Sequence, residues 1–201
     1  TPLALVLDPE AEKLSEKVRK NFTDMFGDTP MALAEAMRYH GTTLLDAAEG
    51  KLPAVVLKGE AYLCQGMMGA DVLANLISAA HAKGLYVILD VNTAAAARWT
   101  GYGADAVTVC PYGGSDCLSA GEMLAIAAVR TADSSGGQVQ NLMAGDRALW
   151  LTVAAQMARR GAALSVATGY SLDMKDVRKV CPNAFLLLAD CDGENALPAF
   201  D

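Results

Sequence analysis

No stretch of the sequence approaches the ~18 consecutive apolar residues that a membrane-spanning helix needs. The first eight residues also lack the basic segment that opens a secretory signal peptide. We therefore expect a protein without a membrane partner that works in the cytoplasm.

Positive charge is scarce as well. The chain has 16 Lys and Arg residues against 23 Asp and Glu residues, which gives a net charge of −7 and a pI of about 4.8. A surface with this balance repels the phosphate backbone of DNA and RNA. We therefore expect no nucleic-acid partner.

The patterns of a metal site or a disulfide framework are missing. The five cysteines are an odd number and include no Cys-x-x-Cys pair, and the two histidines, His40 and His81, stand far apart in the chain. Reduced thiols are the expected state. No metal site is expected.

Short, nearly continuous apolar runs recur along the chain and alternate with helical patterns. Runs of this kind are typical of parallel strands that are buried on both faces of a sheet. Two helices are predicted from Ala70 to Lys83 and from Arg147 to Arg160, and they end at Gly84 and Gly161. The predicted strands are Leu3–Leu7, Ala54–Leu57, Tyr86–Leu89, Ala106–Val109, Leu124–Val129, Leu164–Ala167 and Phe185–Leu188.

Repeated strand–helix units predict an α/β protein with a parallel sheet, either open or closed as a TIM-type (β/α)₈ barrel. No G-x-G-x-x-G follows the first strand, so the dinucleotide-binding form of the open sheet has no support. We interpret residues 1–201 as one barrel domain with seven visible strands. The sequence leaves open whether an eighth strand follows Asp201.

Charged residues end several of the predicted strands, which is where the chemistry of such a fold takes place. Asp8, Lys58 and Asp90 would form a carboxylate–lysine–carboxylate set that suits an anionic small molecule. Each residue also has a simpler explanation. Asp8 and Asp90 could begin helices, since Asp is a common N-cap, and Lys58 could be a surface lysine.

Six ordered segments, from residue 3 to about residue 195, resemble the longer, bacterial type of the orotidine 5′-monophosphate decarboxylases. They are residues 5–9 (Leu-Val-Leu-Asp-Pro), 55–62 (Val-Val-Leu-Lys-Gly-Glu-Ala-Tyr), 87–90 (Val-Ile-Leu-Asp), 103–112 (Gly-Ala-Asp-Ala-Val-Thr-Val-Cys-Pro-Tyr), 131–142 and Ala167-Thr168. The resemblance is specific because an ordered series of motifs does not recur by chance.

The resemblance implies a (β/α)₈ homodimer that makes UMP by removing the C6 carboxylate of a pyrimidine nucleotide without a cofactor. Such enzymes use an alternating Lys-Asp-Lys-Asp array, whose last aspartate comes from the partner subunit. Fixed ammonium groups of this kind stabilise a developing carbanion. The matching residues are Lys58 and Asp90 as catalytic residues, Asp8 as the ribose ligand, and Thr131, Gln140 and Thr168 as further substrate-binding residues.

The sequence also departs from the family pattern. Asn92 stands where the catalytic lysine belongs, and the second aspartate has no counterpart. Ala132 replaces a serine that contacts the pyrimidine, and Cys110 replaces an asparagine, whereas Asp116 is kept. The acidic segment Asp190-Cys191-Asp192-Gly193-Glu194 stands where a phosphate-binding loop is expected and would repel a phosphate.

Three hypotheses follow from these residues. The chain is a decarboxylase whose lysine loop or tail is missing from this sequence, a non-catalytic barrel that acts as a binding or structural module, or an enzyme with another small anionic substrate that uses Asp8, Lys58 and Asp90. Asn cannot supply a proton near neutral pH. We therefore expect decarboxylation by this chain to be absent or very weak.

Overall fold

The computed structural model describes residues 3–167 and 171–189. The chain divides into two compact units. The first consists of Thr1–Val91 and Gly101–Ala106, and the second of Asn92–Thr100 and Val107–Asp201. The candidate site residue Thr168 and the acidic residues 190–194 lie outside the described residues. The single domain over residues 1–201 stays a prediction.

The first unit alternates strands with helices, as its apolar runs indicate. Its elements are β1 (Ala4–Leu7), α1 (Glu16–Phe26), α2 (Pro30–Ala48), β2 (Ala54–Lys58), α3 (Gly59–Leu63), α4 (Gly66–Ala82) and β3 (Tyr86–Thr93), the last two residues of which belong to the second unit.

Strands β1, β2 and β3 pair in parallel and in chain order. The register aligns Leu7 with Leu57 and Leu57 with Leu89, and all three side chains are buried. The next residue along each strand is charged, namely Asp8, Lys58 and Asp90. The register therefore brings the three predicted site residues to one level, directly after β1, at the end of β2 and within β3.

Helices α2 and α4 pack against each other in the first unit. Helix α2 begins at an N-cap, Thr29, whose side chain accepts a hydrogen bond from the Ala32 N–H at 3.3 Å. Gly41 lies at the crossing, because a β-carbon there would stand 2.7 Å from Leu76 Cδ1. The glycine thus allows the two helices to approach closely.

The second unit continues the alternation of strands and helices. It contains most of β4 (Ala106–Val109), then β5 (Leu124–Arg130), α5 (Gly137–Gln140), a short antiparallel pair β6 (Met143–Ala144) and β7 (Arg147–Ala148), α6 (Leu149–Arg159), β8 (Ala163–Ala167), α7 (Ser171–Val180) and β9 (Leu186–Ala189). Its parallel strands follow the order β4, β5, β8 and β9.

Helix α6 packs on β5 and β8, and Ile126, Leu164 and Met157 are fully buried there. The pairing of β5 with β8 is irregular. Ala128 lies opposite Ser165 and Arg130 lies opposite Val166, so that β5 holds one extra residue. A bulge of this kind turns the following side chain away from its regular direction.

All seven predicted strands are present in the described residues, with ends that differ by up to four residues. The largest difference is in β3, which continues four residues beyond Leu89, and the predicted helices begin at Gly66 and Leu149. The positive φ angles of Gly84 (72°) and Gly161 (80°) suit the ends of these helices. The structure adds helices α1 and α2, which the apolar pattern did not predict.

None of the helices in the described ranges combines the length and hydropathy of a membrane-crossing segment.

Candidate active site

The predicted pair of Lys58 and Asp90 is present. Lys58 Nζ lies 2.8 Å from Asp90 Oδ2, and the two side chains are 31% and 24% exposed. The pair forms because the register of β2 and β3 sets the two residues directly opposite each other. Asp90 lies inside β3, so its alternative role as a helix cap is wrong.

Asp8 forms an ion pair as well, with a residue that the sequence analysis did not single out. Lys13 Nζ donates to Asp8 Oδ2 at 2.6 Å and to Glu10 Oε1 at 2.9 Å. The hydrogen bonds to Asp8 and then to Glu10 raise the pKa of Lys13. Helix α1 begins only at Glu16, so Asp8 does not cap it. A lysine five residues after a strand-ending aspartate was the available signal.

Tyr62 lies in α3, the short helix that begins directly after Lys58. The side chain is fully buried, and its hydroxyl has no hydrogen-bond partner among the described residues. Burial, and after it the negative charge of Asp8, raises the pKa of Tyr62. The hydroxyl therefore stays protonated and available as a donor across the neutral pH range.

Gly59 follows Lys58 directly and is the first residue of α3. A β-carbon at residue 59 would stand 2.3 Å from Val91 Cγ1. The glycine therefore lets the start of α3 approach β3 next to the Lys58–Asp90 pair. Any larger residue at this position requires Val91 to move.

The second unit contains an open cavity of about 440 Å³. Amide, hydroxyl, thiol and carboxylate groups line it, and none of the lining residues in the described ranges is basic. The lining residues that carry these groups are Asn92, Cys110, Tyr112, Thr131, Asp133, Ser135, Gln138 and Gln140. A lining of mostly neutral hydrogen-bonding groups, with the Asp133 carboxylate among them, suits a polar heterocycle better than it suits a bare anion.

Thr131 and Gln140, both predicted as substrate ligands, lie together in this cavity wall. The Gln140 side chain is buried, its Nε2 donates to Thr131 Oγ1 at 2.8 Å, and its Oε1 accepts from the Thr131 N–H at 3.2 Å. Gln140 Oε1 also accepts from Arg130 at 3.3 Å. The Gln140 amide is thus engaged within the protein, whereas Gln138 is exposed.

Asn92 has an unusual backbone conformation for its place in β3. Its φ angle is +43°, and its N–H donates to Thr108 Oγ1 at 2.9 Å. The next residue, Thr93, accepts from the Cys110 N–H at 2.8 Å. Asn is one of the few residues other than glycine that adopt this left-handed region readily. The backbone at the position of the family lysine therefore suits asparagine.

Tyr112 and Cys117 have perturbed pKa values in the second unit. Burial raises the pKa of Tyr112 to about 12, although Arg130 acts in the opposite direction, and the Tyr112 hydroxyl donates to the Val129 carbonyl at 2.6 Å. Burial also raises the pKa of Cys117, whose thiol donates to the Gly114 carbonyl at 3.1 Å. Both groups are protonated at neutral pH and serve as hydrogen-bond donors.

Thr168 and the acidic residues 190–194 lie outside the described residues. In the described ranges, no group of three His, Cys, Asp or Glu side chains has the geometry to hold a metal ion.

No protein-family model matches the chain. The orotidine 5′-phosphate decarboxylase of Rhodopirellula baltica is 26% identical over 219 aligned positions, which cover 90% of this chain and 70% of that protein.

Solved structures agree on the architecture. The OMP decarboxylase of Leishmania donovani superimposes with a TM-score of 0.74 at 22% identity and covers 83% of this chain and 73% of its own. The orotidine 5′-monophosphate decarboxylase of Plasmodium berghei gives a TM-score of 0.77 at 14% identity, with 99% and 82% covered. At these identities the likeness concerns the fold.

The chain is therefore an α/β protein of the TIM-barrel class, and this prediction is confirmed. The sequence comparison and the structures together confirm the resemblance to the orotidine 5′-phosphate decarboxylase family that the motifs indicated. The protein is orotidine 5′-phosphate decarboxylase-like in sequence and in fold.

Proposed function

We propose that this orotidine 5′-phosphate decarboxylase-like protein binds a pyrimidine nucleoside monophosphate such as UMP, and that it removes the 6-carboxylate of orotidine monophosphate at a negligible rate. One observation carries the proposal. The Lys58–Asp90 pair is formed at 2.8 Å, while the sequence resemblance aligns Asn92 with the proton-donating lysine of the family.

The charged groups of the first unit support nucleotide binding. Lys58 offers donors, and the carboxylates of Asp8 and Asp90 accept hydrogen bonds, which suits ribose hydroxyls. The Lys58–Asp90 pair is partly exposed, so it contributes only about 0–1 kcal/mol to folding. The array therefore adds little to the stability of the fold. Ligand binding explains its presence better than stability does.

The cavity of the second unit suits a pyrimidine base. A pyrimidine presents carbonyl acceptors and an N–H donor at its edge. Asn92, Gln138 and Thr131 offer both donors and acceptors there. Purely electrostatic capture is not expected because the cavity lining carries no basic residue.

Asn92 accounts for the expected loss of turnover. A positioned proton donor contributes typically ~10²–10⁴-fold to the rate of an enzyme. A carboxamide cannot supply this proton, and no second aspartate follows Asp90 at the family spacing. Binding of the nucleotide and its decarboxylation are therefore separable in this chain.

A homodimer and a cytoplasmic location, which the resemblance implies, form part of the same proposal. Light scattering on the protein samples used for UMP calorimetry measures the oligomeric state. A monomer at all concentrations would remove the dimer from the proposal and leave the nucleotide site untouched.

Isothermal calorimetry with UMP and with 6-aza-UMP tests the nucleotide site. We expect the wild-type chain to bind, and Lys58→Ala to weaken UMP affinity by roughly tenfold or more, since hydrogen bonds to a charged group are the stronger class. Lys179→Ala is the matched control, because Lys179 is 75% exposed and pairs only with the exposed Asp176. Equal affinities of the two variants would show that Lys58 does not contact the nucleotide.

A turnover assay tests the second half of the proposal. The absorbance of orotidine monophosphate falls when it is decarboxylated, and we expect a rate far below about 1 s⁻¹, which is an ordinary rate for an enzyme. A rate at or above this value would show that the chain is a working decarboxylase.

A further inference from the structure

Arg130 is a buried arginine for which the proposed site has no direct use. It ends β5, and its side chain is only 9% exposed. Its Nε lies 3.0 Å from Asp173 Oδ2, and its guanidinium carbon lies 5.6 Å from the centre of the Trp150 ring. The guanidinium is therefore held by an ion pair on one side and by an aromatic face on another.

The remaining contacts of Arg130 lead to the wall of the cavity. Its Nη1 donates to Asn141 Oδ1 at 2.9 Å and to Gln140 Oε1 at 3.3 Å. Gln140 is the last residue of helix α5, and Asn141 follows it directly. The bulge in β5 immediately before Arg130 explains how this side chain reaches them.

Gln140 connects Arg130 to the segment that lines the cavity. It bonds to the backbone N–H and to the hydroxyl of Thr131. The segment 131–140 is therefore closed at both ends by one side chain, and that side chain is held by Arg130. Asp133, Ser135 and Gln138 of this segment line the cavity.

We propose that Arg130 is a positioning residue that fixes the segment 131–140 in the geometry that binds the nucleotide, with Asp173 as its counter-ion. This inference rests on the proposed function for its ligand. Its structural part, that Arg130 orders the segment, does not depend on any ligand.

A single neutral substitution cannot test this role, because Arg130→Met leaves the Asp173 charge buried without its partner and destabilises the fold. The double variant Arg130→Met/Asp173→Leu avoids this problem. Replacing a buried ion pair by apolar residues of similar size often preserves stability. It leaves Gln140 and Asn141 without their anchor.

Arg130→Lys is a second variant, which tests the shape of the guanidinium group separately from its charge. Lysine keeps the positive charge for Asp173, but a single ammonium group does not reproduce the planar fork that contacts three acceptors. Arg147→Met serves as the matched control, since Arg147 and its partner Asp146 are 41% and 83% exposed.

The full-length variants are compared by urea unfolding, by UMP calorimetry and by amide hydrogen exchange of residues 131–141. We expect the double variant to unfold near the wild-type midpoint, to bind UMP roughly tenfold or more weakly, and to exchange faster in this segment alone. Arg130→Lys should show the same loss of affinity, and Arg147→Met should show none of these changes.

If the double variant has both the stability and the UMP affinity of the wild type, Arg130 is only an ion-pair partner. Wild-type UMP affinity in Arg130→Lys would lead to the same conclusion. If the wild-type chain binds no UMP, the proposed function fails by itself. Hydrogen exchange then decides the inference, since unchanged exchange in residues 131–141 overturns it and faster exchange supports it.

Discussion

Replacing Asn92 by lysine would return an ammonium group to the residue that the sequence resemblance aligns with the family's proton donor. The backbone at this residue has a φ angle of +43°. For an ordinary L-residue the left-handed region costs roughly 1–2 kcal/mol, whereas asparagine tolerates it. The Thr108 hydroxyl holds this conformation through the Asn92 N–H at 2.9 Å. We expect Asn92→Lys to lower the free energy of unfolding by about 1–2 kcal/mol.

The same variant should not become an efficient decarboxylase. A well-placed donor would raise the rate by ~10²–10⁴-fold. We expect a lysine that starts from a backbone φ angle of +43° not to be placed as the donor requires, and the second aspartate of the family array has no counterpart in the sequence. We therefore expect a gain in kcat/KM of less than about tenfold, because misplacing a reacting group by 1 Å already costs about 10²-fold.

Asn92→Gly is the control for the backbone argument. Glycine adopts a positive φ angle without the steric cost, so we expect its stability to exceed that of the lysine variant by the same ~1–2 kcal/mol. Urea unfolding measures both variants, and the absorbance of orotidine monophosphate measures turnover. A lysine variant as stable as the glycine variant, with a rate gain of ~10²-fold or more, would refute the reasoning.

Three further changes test the described structure. Gly59→Ala should lower the stability of the fold by about 1–3 kcal/mol, because its β-carbon would stand 2.3 Å from Val91 Cγ1, and Val91→Ala should relieve it. Asp105→Ala should cost about 1–3 kcal/mol, since Asp105 Oδ2 accepts from the Val87 N–H at 2.7 Å. The folded-state pKa of Tyr112, about 12, lies above its ordinary value of 10.0. Its contribution to stability is therefore complete below pH 10 and is lost as the pH rises towards 12, and Tyr112→Phe should remove that part of the alkaline decline.

Each of these has a result that would count against it. The double variant Gly59→Ala/Val91→Ala should be more stable than Gly59→Ala alone, and additive losses would mean that the two residues do not meet. An Asp105→Ala variant with the wild-type urea midpoint would mean that the Val87 hydrogen bond is not formed in solution. Equal alkaline unfolding of Tyr112→Phe and wild type would place the Tyr112 phenol in solvent.

The strand–helix alternation could be predicted from the sequence because buried parallel strands need continuous apolar residues. The same pattern placed Lys58 and Asp90 at the ends of neighbouring strands, and their pairing at 2.8 Å followed from the parallel register. The motif order also indicated the family resemblance. These features are local, or they depend on the regular geometry of a sheet, and one sequence contains the information for both.

Only the tertiary structure showed which groups the candidate residues contact. Gln140, predicted as a substrate ligand, is bonded to Thr131 and Arg130, and the extra residue in β5 that aims Arg130 towards it has no signature in the apolar pattern. The ion pair of Arg130 with Asp173 joins residues 43 positions apart. Contacts of this range depend on how helices pack on strands, and helix packing is set by side-chain shape and loop geometry, which a period of apolar residues does not encode.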